Sequence, residues 1–181
     1  MIRRLLDGLY LAAGYLAGAF LIAIFVLMMA LSVGREINLN VPAGDDFVSW
    51  CMAAMAFLGL AHTFRHGEMI RVGLIIDLFE GRKRWYFEMF SLVLGVAFIG
   101  FFAYYALQMN WQSWKFNDMS QGVVIVPLWI PQLGYSVGLL ILLIALVDEL
   151  INVAMGGEPR YEKPKPKTAE EVVEQAIQSG V

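Results

Sequence analysis

The sequence carries a single cysteine, Cys51, so no internal disulfide and no cysteine-built zinc site is open to it. It has no Gly-Lys pair and no Gly-x-Gly, which removes the loops that cradle nucleotide phosphates. Charge is scarce as well. Only 16% of the 181 residues are charged and 59% are hydrophobic, against about 25% and about 45–50% in soluble domains. A chain of this length leaves roughly a third of its surface in contact with solvent when folded. That much apolar surface excludes a soluble globular enzyme, and it equally excludes a disordered chain. A net charge of −3 gives no footprint for nucleic acid.

What is present is organised by where charge is missing. Four stretches hold no Asp, Glu, Lys or Arg: residues 8–34, 47–64, 89–114 and 119–147. A helix rises ~1.5 Å per residue, so ~20 apolar residues cross a ~30 Å hydrocarbon core. Three stretches are ample, and the second reaches the required length by starting at Asp46. Because lipid offers no hydrogen-bond partners, each span must satisfy its own backbone as a helix. The expected fold is an all-α integral membrane protein with four transmembrane helices, about 9–33, 46–64, 87–109 and 126–147. They form a membrane domain over residues 1–157, followed by a flexible cytoplasmic tail over 158–181, where Pro159, Pro164 and Pro166 alternate with lysines. The first stretch is far longer than the ~7–15-residue core of a cleaved signal and is expected to be retained.

Lys and Arg fix the expected orientation. Eleven lie in the N-terminus, the second connection and the tail, and two, Arg35 and Lys115, in the other connections. The positive-inside rule then places both termini and the second connection in the cytoplasm. Within that connection, Val72, Ile75, Ile76 and Phe79 share one helical face, opposite Gly73, Asp77, Glu80 and Arg84. This predicts a cytoplasmic interfacial amphipathic helix over about 72–84, resting on lipid headgroups or on a partner protein. Trp50, Trp85, Trp111 and Trp114, with Arg82, Lys83 and Arg84, are the expected anchors at the two membrane surfaces. Pro127 is expected in the first turn of the fourth helix and Pro131 at a kink one turn further on.

No reactive constellation emerges. His62 and His66 share a helix face but lack a third ligand and a base, and a helix-end position beside Arg65 accounts for both without metal. They also cannot sandwich one haem from a single helix. The span centres carry no charge, so no ion or solute pathway is marked. No catalytic, cofactor or metal residue is expected. Small residues do recur at packing distance: Gly14 and Gly18 in the first span, Gly134 and Gly138 in the fourth, and Gly59 among Ala53, Ala54, Ala56 and Ala61 in the second. Such positions let helices approach closely, either within the chain or against a membrane partner.

Two runs carry a resemblance. LGLAHTFRHGEMIRV (58–72) is similar to the end of the second span in the small permease subunit of TRAP transporters, the tripartite ATP-independent periplasmic family. QGVVIVPLWIPQ (121–132), followed by Gly138, resembles that family's approach to the last span. Length, span number and the amphipathic connection agree over roughly residues 5–155. The chain departs from the family at Met69, often histidine there, and at Gly73, often aspartate, so neither is given a role.

The resemblance implies a small subunit in the bacterial inner membrane that braces a large multi-helix carrier subunit. That carrier would take up an organic acid on an ion gradient, usually of sodium, from a periplasmic substrate-binding protein. It implies no enzyme activity and no cofactor. The outer segment 110–126, with Lys115 and Asp118, is the expected contact for the binding protein. A membrane-anchor subunit of a respiratory redox complex, holding haem or quinone, is the alternative that shares the four-helix form.

Overall fold

The structure, a computed structural model, describes residues 2–37, 42–65 and 82–157, with side chains from residue 5 and, in the last stretch, from residue 84. It contains four long helices: α1 (Ile2–Glu36), α2 (Gly44–Arg65), α3 (Arg82–Phe116) and α4 (Trp129–Ala154). Each is long and apolar enough to cross a bilayer. At 35 residues, α1 and α3 are ~52 Å long and continue past the expected spans at both ends. The expected interfacial helix falls largely on residues outside the described ones. Arg82–Arg84, assigned to its last turn by the sequence reading, instead form the first turn of α3.

The fourth helix begins later than its prolines suggested. Pro127 lies outside it, in an isolated bridge with Met119, and the turn is closed by Leu128 N–H donating to the Asp118 carbonyl at 2.9 Å. Pro131 is the third residue of α4. The first four N–H groups of a helix have no partner within it, so a proline there costs no hydrogen bond and needs no kink. Between α3 and α4, Asn117 turns the chain in the left-handed region at φ 51°. Its side chain tolerates that conformation better than most. At the other end, Gly156 (φ 82°) closes α4.

The helices stand in a row. Packing runs from α1 to α2, from α2 to α4 and from α4 to α3, and α1 touches α4 only narrowly. Among the described residues α3 packs against neither α1 nor α2. Gly14 lies on His62 and Gly59 faces Ala17, so α1 and α2 run antiparallel. Gly134 lies on Ala54 and Gly138 on Phe57, so α2 and α4 run parallel. Asn110 donates its amide to the Trp129 carbonyl at 3.1 Å, and the Trp85 indole N–H donates to the Val153 carbonyl at 3.2 Å. These two bonds hold α3 antiparallel to α4 at both ends. One end of the row, called proximal here, gathers the starts of α1 and α3 and the finishes of α2 and α4. The other end is distal.

Small side chains recur in the seams beside Tyr10, Leu58, Phe64 and Leu142, and large aromatic ones cover the outer surfaces. Ala13 and Ala17 of α1, Ala54 and Ala61 of α2, Ala103 and Ala106 of α3 and Ala145 of α4 are buried. Phe25, Phe90, Phe98, Phe101 and Tyr104 are exposed. An exterior this apolar is unlike that of a water-soluble bundle. In lipid there is no hydrophobic drive between helices, and close backbone approach with dispersion contact replaces it.

A Cβ added at Gly134 would sit 2.6 Å from the Ala54 Cβ, and one at Gly138 2.7 Å from the Phe57 Cβ. Gly134→Leu or Gly138→Leu is therefore expected to lower stability by about 1–3 kcal/mol. Gly18→Leu, where no atom lies within 4 Å, should leave it unchanged. Unfolding in detergent micelles followed by circular dichroism checks the contrast.

Candidate functional site at the two ends of the helix row

The charged residue that closes each charge-free stretch at the proximal end is Asp7, Arg65, Glu88 or Asp148. The fold brings these four helix ends together. The Arg65 guanidinium pairs with Asp7 of α1 at 3.0 Å, with Asp148 of α4 at 3.6 Å and with Glu149 of α4 at 3.7 Å. It also lies over the ring of buried Tyr10, 5.9 Å from the centroid. Arg65 thus joins three helices. On α3, Arg84 pairs with buried Glu88 at 3.2 Å, one turn apart, and Trp85 ties this helix to the end of α4.

The contacts of Arg65 differ in worth. Asp7 is half exposed, so its ion pair contributes little, within about 0–1 kcal/mol. Glu149 is 2% exposed. A carboxylate that deep is tolerable only with its charge answered, and Arg65 answers it while Asn152 donates to its Oε1 at 3.5 Å. The sequence reading counted Arg65 only for orientation and passed over Asp7, Asp148 and Glu149. Their common position, each within a turn of a stretch boundary at one end, was the signal that could have found them.

The distal end is built differently. Trp111 and Trp114 are exposed and in tilted contact, with centroids 5.1 Å apart, and Trp50 meets Phe47 edge-on at 5.2 Å. Lys115 and Asp118 are both exposed beside them, Lys115 over the Phe116 ring at 5.7 Å. Residues 118–128 form a short hairpin pinned by Ser120, whose hydroxyl donates to the Val124 carbonyl at 2.9 Å and accepts from Val126 N–H at 3.0 Å. Gly122 of this hairpin abuts the Asp46 carboxylate at the start of α2.

The predicted residues thus sort by place. Gly14, Gly59, Gly134 and Gly138 all face other helices of this chain, and Gly18 alone of the five faces open space. Trp85 and Arg84 lie at the proximal end with partners named above, whereas the side chains of Arg82 and Lys83 are outside the described ones. Trp50, Trp111, Trp114, Lys115 and Asp118 gather at the distal end. His62 packs its imidazole on Gly14, and His66 is outside the described residues. Among the described residues, no three His, Cys, Asp or Glu side chains converge as metal ligands.

A model of the family described as tripartite ATP-independent periplasmic transporters, DctQ component, matches residues 6–156. The chain belongs to this family. It is the small permease subunit of a TRAP transporter and a multi-pass membrane protein. No curated protein matches it. The matched region takes in nearly all of the four-helix row, from Leu6 near the start of α1 to Gly156 just past α4. Both the proximal ion pairs and the distal hairpin of this DctQ chain therefore belong to the family domain.

Arg65→Leu is expected to destabilise this DctQ subunit by about 3 kcal/mol, because it removes at once the ion pairs to Asp7, Asp148 and deeply buried Glu149. Asp7→Asn should cost less than about 1 kcal/mol. Unfolding in detergent compares the two, and equal losses would show that Glu149 does not depend on Arg65.

Proposed function

We propose that this DctQ subunit braces the large multi-helix carrier of its transporter, which takes up an organic acid on an ion gradient, sodium being the coupling ion. In this reading a periplasmic substrate-binding protein delivers the solute. The observation that carries it is the row itself: four membrane-crossing helices side by side, tied at one end through Arg65, with no charge in their central stretches. Those central stretches offer no charged side chain to a solute or a coupling ion. The row does have width, and it has an end that resists being pulled apart.

A carrier that moves its solute site across a membrane needs a part that stays still. A row of helices buries more lipid-facing area per residue than a closed bundle, so shifting it along the membrane normal exposes more apolar surface. Ring and charge anchors at both surfaces add to that resistance. The proximal end is the cytoplasmic one in this reading, since it adjoins the basic connection, and Arg82, Lys83 and Arg84 would contribute ~1 kcal/mol each near anionic lipid. Trp50, Trp111 and Trp114 hold the periplasmic edge. The surface left for the large subunit includes the open side of α1 around Gly18, where a partner helix meets no obstruction.

The alternative of a redox-complex anchor drew on the four-helix form alone, and membership in a transporter family leaves it without support.

Lys115 and Asp118 stand exposed at the distal edge and are the proposed contact for the binding protein. Reversing both charges (Lys115→Glu with Asp118→Lys) should slow uptake by about threefold or more, through slower docking. Co-purification with the large subunit should not change. Solute uptake by cells carrying the double variant measures this, and full uptake would remove the contact from the account.

A further inference from the structure

A groove of about 650 Å³ runs along α3 beside the start of α4. Tyr104, Leu107, Gln108, Trp111 and Trp114 form its length, at spacings that place them on one helical face, and Trp129 walls it from α4. Asn110 fixes that wall by its amide bond to the Trp129 carbonyl. We infer that this groove binds one zwitterionic phospholipid, with the alkylammonium headgroup between the indoles at its mouth and the upper acyl chain along its floor. The inference adds a lipid site to the bracing reading and takes from that reading only the leaflet, the outer one.

Three observations carry it. The first is length: from Tyr104 to Trp114 the helix rises ~15 Å, which spans a headgroup and the upper part of one chain. The second is the order of the lining. Tyr104 and Leu107 lie deepest, an amide follows at Gln108, and the contacting pair Trp111 and Trp114 stands at the rim of the apolar stretch. This is the polarity order met along a phospholipid from chain through ester to headgroup. The third is charge. No charged side chain lines the groove, so an anionic headgroup finds no cation in it. Lys115, next in the chain after Trp114, is not part of its lining. An alkylammonium at the mouth instead meets the indoles of Trp111, Trp114 and Trp129, rings whose negative π surfaces attract cations.

The test uses the full chain in mild detergent, presented with equal amounts of phosphatidylethanolamine, phosphatidylcholine and phosphatidylglycerol and read by native mass spectrometry. The expected result is one retained lipid, with the ethanolamine and choline forms favoured about fivefold over the glycerol form. Trp111→Leu with Trp114→Leu should abolish that preference. Leucine keeps the surface apolar, and an unchanged helical signal confirms the fold. Equal retention of all three lipids, or preference for the glycerol form, overturns the site. So does tryptophan quenching or displacement of the lipid by soluble choline at millimolar concentration, which would make a free ammonium compound the ligand. A photo-crosslinker at Gln108 in the membrane-extracted complex adds a further arm: capture of lipid supports the inference, and capture of a protein partner's helix overturns it. Co-purification with the large subunit is scored separately. Its loss with the headgroup preference intact would sink the bracing reading and leave the lipid site standing.

Discussion

Helices dissolved in hydrocarbon have no solvent pushing them together, so whatever holds this protein in one shape must come from contact and from charge. Contact is supplied by α2 and α4, the two helices with neighbours on both sides. Ala54, Gly59 and Ala61 leave α2 narrow enough for α1 on one side and α4 on the other. Gly134 and Gly138 let α4 lie against the α2 backbone, and Ala103 and Ala106 do the same for α3 against Leu139. Enlarging any of these side chains forces two helices apart along their seam, where close contact is the main attraction.

Charge completes the shape at one end only. Arg65 sits where α1, α2 and α4 converge and compensates Glu149, which has almost no contact with its surroundings outside the protein. A buried pair of this kind adds little net stability, yet breaking it is costly, which makes it a device for fixing an arrangement. The distal end has no counterpart among the described residues. It is closed by the Ser120 hairpin and edged with tryptophan, a polar and aromatic rim suited to contact with headgroups and with something outside the membrane. The two ends therefore differ in kind: one fastens the row internally and the other offers a surface.

Much of this was legible in the chain because lipid makes strict demands. Four charge-free stretches had to be four spanning helices, and four helices long and apolar enough to span stand among the described residues. The family could be read from 58–72 and 121–132 because those runs lie in the region that the family match covers. What stayed hidden depends on which helices become neighbours. Gly134 and Gly138 announced a close approach, but spacing cannot say that Ala54 and Phe57 of the same chain fill it. Asp7 and Arg65 lie 58 positions apart, and only the order α1, α2, α4 makes them partners. Pro131 falls in the first turn of α4 and not a turn further in, because the Met119–Pro127 bridge moves the start of α4 to Trp129.

The account's central claim is that this subunit supports transport and carries nothing itself. Liposomes rebuilt from purified parts test it most directly, comparing the large carrier alone, this chain alone, and the two together, each supplied with the binding protein and an imposed sodium gradient. Solute should accumulate only where both membrane subunits are present. Accumulation in liposomes that hold this chain without the carrier would contradict the claim.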